Sequence, residues 1–246
     1  MAQAVENAVR YFQRHRALYG DQLILGAPEL GVKPAPPDQV EGDQLGTLAA
    51  FNQDIRNCQK CPLGATRTEF VFGVGNPEAD LVFIGEAPGA QEDLAGEPFV
   101  GRAGKLLDQI LAAIDLSRRE VYILNVLKCR PPGNRDPQPP EVEQCEPYLQ
   151  EQLRIIQPKL IVTLGRVAAK TLLRVDESLQ KMRKQVYHYQ GVEVRATYHP
   201  AALLRNPGWK APAWEDFQAI RDRYRELTGR PPLVKNGVQV STGKGM

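Results

Sequence analysis

Four cysteines, a glycine-rich acidic loop, one asparagine and one histidine are the residues of this chain whose types and spacing point to chemistry. Cys58 and Cys61 form C-x2-C. A gap of 67 residues follows, and Cys129 and Cys145 then form C-x15-C. Thiolates are soft ligands that suit zinc or iron–sulfur clusters. Four of them complete either a structural zinc site or a 4Fe–4S site. Spacing alone does not choose between the two. Cys58-Gln-Lys-Cys61 also has the form of a redox dithiol, but no strand directly precedes it and two cysteines are left over. A chance C-x2-C with two unrelated buried cysteines is the plainest alternative.

The loop is Gly85-Glu86-Ala87-Pro88-Gly89-Ala90-Gln91-Glu92-Asp93, followed by Gly96-Glu97-Pro98-Phe99-Val100-Gly101-Arg102-Ala103-Gly104. Further on come Asn125-Val126-Leu127-Lys128-Cys129-Arg130-Pro131-Pro132 and Tyr198-His199-Pro200-Ala201-Ala202-Leu203-Leu204-Arg205. Carboxylates accept protons, a carboxamide both donates and accepts, and an imidazole does either. Each piece also has a plain structural reading. Gly/Pro loops make tight turns. Asn125 can cap a strand end, His199 can sit in a turn before proline, Phe99 can be core, and Glu92-Asp93 can be an exposed acidic turn.

The elements that must position these groups are legible as apolar runs. Residues 81–84, 121–124 and 160–164 are continuous Val/Ile/Leu-rich stretches, and 192–198 alternates. Such runs suit strands buried on both faces of a parallel sheet. Helical patterns fall at 102–114, 140–156, 166–174 and 212–228, with a short one at 48–56. The alternation predicts an α/β fold, three layers with a central four-stranded parallel sheet. Ligands of such sheets sit beyond the carboxyl ends of the strands. Gly85-Glu86, Asn125 and His199 each follow a predicted strand.

Residues 1–45 read as an appendage, with an amphipathic helix over 4–19 and a Pro-rich linker after it. The catalytic domain is expected over 46–228 and a polar, disordered tail over 229–246. The formal charge is +2, from 31 Lys+Arg against 29 Asp+Glu. That excludes a histone-like coat but not a local basic face. No apolar run is long enough to span a bilayer, and the N-terminus lacks a secretory pattern. A cytoplasmic, monomeric protein that does not engage membranes is expected. In a reducing compartment the cysteines point to metal or redox chemistry rather than disulfides.

Taken together, GEAPG-x2-ED, G-x-PFVG-x-AG, N-x3-C-RPP and HPA, with four cysteines placed among them, closely resemble family 4 uracil-DNA glycosylases. The resemblance runs from about Asn57 to Tyr224. It implies a uracil-DNA glycosylase fold and hydrolysis of the uracil N-glycosidic bond in DNA as the first step of base excision repair. It also implies a 4Fe–4S cluster held by Cys58, Cys61, Cys129 and Cys145, which moves the choice from zinc to iron–sulfur.

By the same resemblance, Phe99 stacks on the flipped base, Asn125 reads it, and His199 donates to its O2. Gly85, Glu86 and Ala87 add backbone contacts. Ala87 stands where family 1 enzymes carry a water-orienting aspartate, so the general base is left to Glu92 first and Glu86 second. Glu92 is also placed to crowd the base at C5. The stretch from His199 to Arg205 is expected as a minor-groove loop, with Leu203 or Leu204 as a wedge and Arg205 on phosphate. Lys128, Arg130, Arg135, Lys181, Arg183 and Lys184 are further phosphate candidates. No lysine is clearly placed for Schiff-base lyase chemistry. The competing readings are a non-catalytic nucleic-acid-binding module with a structural four-cysteine site, and a zinc or redox protein of another class.

Overall fold

The computed structural model describes residues 43–230. The expected helix at 4–19, nearly all of the linker and most of the tail lie outside the described residues. The first described helix is α1 (Asp43–Ile55), followed by the short α2 (Leu63–Thr66). The chain then runs β1 (Val74–Gly75), β2 (Leu81–Gly85), α3 (Ala90–Ala95), α4 (Arg102–Ala113), β3 (Tyr122–Asn125) and α5 (Pro139–Ile156). After these come β4 (Leu160–Leu164), α6 (Arg166–Leu173), α7 (Leu179–Met182), β5 (Tyr187–Tyr189), β6 (Val192–Thr197), α8 (Pro200–Arg205) and α9 (Lys210–Thr228).

The strands form one sheet in the order β1-β3-β2-β4-β6-β5. The four predicted strands are its parallel centre. The sheet of the described residues is six-stranded, not four-stranded, because β1 and β5 add antiparallel edges. The added strands are two and three residues long, too short to leave a period-2 signal in the sequence.

Every residue of β2, β3 and β4 is buried, so their side chains alternate between two cores. Leu81, Phe83, Ile123, Leu160 and Val162 pack with Leu106, Leu107 and Ile110 of α4 and with Trp214, Phe217 and Ile220 of α9. Val82, Ile84, Tyr122, Leu124 and Ile161 pack on the opposite face, with Leu48 of α1, Leu149 and Leu153 of α5 and Leu172 of α6. Each fully buried Leu, Ile or Phe contributes about 1.5–3 kcal/mol. Two such faces make the three layers.

Parallel strands bring their carboxyl ends to one edge. Gly85 lies opposite Asn125, and Leu164 opposite Thr197, two residues before His199. The chain leaves β2 toward α4 on one face and leaves β4 toward α6 on the other. The crevice opened there, between adjacent β2 and β4, is where open α/β sheets bind ligands.

Candidate active site

That crevice holds a cavity of about 660 Å³ lined by Glu86, Ala87, Glu92, Phe99, Asn125 and His199, among others. The residues picked from four separate motifs therefore share one cavity. Gly85 packs directly against two of these side chains. A Cβ there would lie 2.2 Å from Asn125 Oδ1 and 2.7 Å from Phe99 Cζ, so only glycine allows the carboxamide and the ring to close in.

Asn125 is 2% exposed, and its Oδ1 has no hydrogen-bond partner. A buried acceptor left unpaired costs about 1–3 kcal/mol, so this group is built for a donor from outside the chain. Below it, the fully buried Lys128 donates from Nζ to the Asn125 carbonyl at 2.7 Å. Lys128 cannot reach DNA, and its assignment to phosphate is corrected.

Phe99 is held in the left-handed region at φ 56°, a conformation that costs a bulky residue about 1–3 kcal/mol. Arg118, which donates to the Phe99 carbonyl, and two further groups hold it there. Glu92, in the first turn of α3, accepts from the amides of Val100 at 3.0 Å and Gly101 at 2.8 Å. Gly104 lets α4 sit hard against the Phe99 carbonyl, since a Cβ on it would lie 1.6 Å from that oxygen. The Phe99 ring stacks on His199, with centroids 5.4 Å apart.

His199 caps α8, and its Nδ1 accepts from the Ala201 amide at 3.1 Å. Burial, and then the charge of Arg205, push its pKa down to about 4. The ring is therefore neutral near pH 7, and its proton sits on Nε2. Glu86 behaves in the opposite sense. Burial, then the negative charge of Asp136, push its carboxyl up to about 7, against a smaller pull from Arg166. Tyr198, quoted in the histidine segment without a role, lines the cavity, as do Asp136, Arg166 and Trp209, none of which the sequence singled out. Those three belong to no motif of their own and become neighbours only through the fold.

The stretch from His199 to Arg205 is a capped short helix, not a loop. Leu203 is fully buried in the core, Leu204 is partly buried and Arg205 is exposed. The wedge expectation therefore loses Leu203, whose side chain is committed to packing. Arg183 is corrected as well: its side chain is 8% exposed and pairs with Asp216 through Nε at 2.6 Å. Arg135 pairs with Glu141 at 2.5 Å, and Lys181 with Glu177. Arg130 is partly exposed and donates to Asn134 at 2.7 Å, and Lys184 is exposed.

The four cysteines form no disulfide and line a second, small cavity. Cys129 and Cys145 are buried, and Cys58 and Cys61 partly so. Three of the sulfurs accept hydrogen bonds. Cys58 takes Tyr148 Oη at 3.2 Å and the Lys60 amide at 3.4 Å. Cys129 takes Arg67 Nη1 at 3.4 Å, and Cys145 takes the Lys128 amide at 3.3 Å. Among the described residues, no three His, Cys, Asp or Glu close on a single-ion site.

The fold and this site define the class. The model of the uracil DNA glycosylase superfamily matches residues 72–218. At the level of single proteins, the chain is 49% identical over 184 residues to a type-4 uracil-DNA glycosylase of Archaeoglobus fulgidus, covering 72% of this chain and 92% of that protein. It is 42% identical over 210 residues to the type-4 enzyme of Saccharolobus solfataricus, covering 82% and 96% of the two chains. A type-4 enzyme of Thermotoga maritima is 43% identical over 161 residues, covering 65% and 84%. The chain belongs to the type-4 uracil-DNA glycosylase family. Among its described residues no helix is long and apolar enough to cross a membrane.

Proposed function

We propose that this chain excises uracil from DNA by hydrolysing the N-glycosidic bond, leaving an abasic site for later repair steps. The observation that carries the reading is the unpartnered Asn125 Oδ1 in a cavity shared with Phe99 and His199. Its natural donor is the N3–H of an everted uracil, while the Asn125 NH2 donates to O4. Cytosine reverses both groups and leaves them unsatisfied, which is a strong basis for rejection.

Bond cleavage moves the C1′–N1 electron pair onto the base and leaves oxocarbenium character on the sugar. The neutral His199 donates from Nε2 to O2, where the charge develops. Being uncharged costs this donor little, because it stabilises the anion by a hydrogen bond in a partly dry site. Ionised Glu86 faces the cationic sugar and takes a proton from the water that attacks C1′. Glu92 has Oε1 committed to two amides and acts as the brace of Phe99. The aromatic face of Phe99 supports the base, a contact worth about 1–3 kcal/mol. Leu204 enters the gap left in the stack, and Arg205 meets phosphate.

Cys58, Cys61, Cys129 and Cys145 are assigned to a 4Fe–4S cluster. The donor set fits: four thiols share one small cavity, and three receive N–H or O–H donors. When bound, the cluster supplies a covalent tie between the segment before β1, the loop after β3 and helix α5.

Single- and double-stranded oligonucleotides carrying one uracil provide the test. Strand breaks at uracil only after alkali are expected. No breaks with either substrate overturn the reading. Asn125→Ala is expected to lose about 10²–10³ in kcat, the scale of a lost transition-state donor, with far smaller loss of DNA affinity.

A further inference from the structure

We propose that Trp209 is a second stacking platform on the cavity rim, which takes the base of a nucleotide next to the uracil in an unpaired strand. The proposal rests on the glycosylase reading and extends it to how the flanking strand is held. The cavity, at about 660 Å³, is the size of sites for drug-scale ligands, and one pyrimidine fills only part of it. Its wall continues from His199 to Tyr198 and Trp209. Trp209 stacks on Tyr198, with centroids 5.0 Å apart and planes 20° apart, yet it remains 39% exposed.

Tyr198 is a rigid support. It is 5% exposed. The Arg183 guanidinium lies over its ring at 4.4 Å and donates from Nη1 to its hydroxyl at 3.3 Å. Arg183 is fixed in turn by Asp216, which also accepts from Thr197 Oγ1 at 2.6 Å. Trp209 is thus a large aromatic surface held in place at no further ordering cost. Exposed Arg205 and Arg166 line the same cavity and supply positive charge for the backbone of that strand. An indole with charged neighbours is the pattern by which proteins hold single strands without reading sequence, because every base has a π face. A paired neighbour stays in the duplex stack and gains less, so Trp209 favours single-stranded or locally opened DNA.

The chain has two tryptophans, and the other, Trp214, is 1% exposed. The difference in emission between the wild type and Trp209→Phe therefore isolates Trp209. Titration of the full chain with a single strand carrying an abasic site and normal flanking bases is expected to quench emission, and the quench is expected to vanish in Trp209→Phe. Trp209→Ala is expected to raise KM for single-stranded uracil substrate roughly five- to hundredfold, the fold equivalent of one lost base stack, with kcat held. Trp209→Phe is expected to restore most of that loss. The effect of Trp209→Ala should disappear on an oligonucleotide whose nucleotides flanking the uracil lack bases. A quench that persists in Trp209→Phe, or an equal KM rise on substrates with and without flanking bases, overturns the proposal. The titration needs no excision, so its outcome is separable from failure of the glycosylase reading itself.

Discussion

Lys128 donates from Nζ to the carbonyl of Asn125 at 2.7 Å, while its own amide donates to Cys145 Sγ at 3.3 Å. One fully buried lysine thus joins Asn125 to the cysteine site. Through this tie the cysteine site can hold the loop after β3 in place. Lys128→Met removes the ammonium and leaves the Asn125 carbonyl without its donor, at a cost of about 1–3 kcal/mol. A lower melting temperature and a fall in kcat/KM are expected together. Unchanged melting and unchanged kinetics would mean that the contact carries no load.

The pH dependence should be set by Glu86. Its carboxyl titrates near 7 because burial and the Asp136 charge disfavour the ionised form. The proposed base is the Glu86 carboxylate, so kcat/KM should rise with pH through an apparent pKa of about 7. His199, pushed down to about 4, stays neutral throughout that rise. Asp136→Asn removes a negative neighbour, which should lower the Glu86 pKa and move the limb to lower pH. Arg166→Gln removes a stabilising cation and should move it up. A pH–rate profile of each variant checks the signs.

Gly85→Ala places a methyl 2.2 Å from Asn125 Oδ1 and 2.7 Å from Phe99 Cζ. Both groups have to move, and misplacement of positioning groups by about 1 Å costs on the order of 10²-fold in rate. The expected loss is of that size in kcat/KM, with a smaller effect on melting. Full activity would show that this packing is softer than its geometry implies.

The cysteine assignment is checked by colour. Holoprotein purified without oxygen is expected to be brown with broad visible absorption, whereas zinc leaves a protein colourless. Cys129→Ser is expected to bleach it and lower its melting temperature, since one ligand is lost from a site that ties three segments. A colourless wild-type protein containing zinc would overturn the cluster.

Much of this was legible in sequence because parallel strands buried on both faces are written as unbroken apolar runs. Residues 81–84 and 160–164 give β2 and β4 to within a residue. The parallel centre then sends Gly85, Asn125 and His199 to one edge, so those residues were found from strand ends and from the motifs together. What the sequence hid depends on side-chain direction. Lys128 and Leu203 look available in a linear reading, and the fold turns both inward. Arg183 looks free until Asp216, from a helix 33 residues away, meets it. The edge strands β1 and β5 are too short to show a period, and Asp136 perturbs Glu86 only because the loop after β3 lines the same cavity.

The most direct measurement is a structure of the chain bound to DNA that contains 2′-fluorodeoxyuridine, whose electron-poor sugar resists cleavage. The base should be everted into the cavity, with its N3–H on Asn125 Oδ1, its O2 on His199 Nε2 and its ring against Phe99. A uracil still stacked in the strand, or seated where Asn125 Oδ1 stays unpaired, would contradict the account.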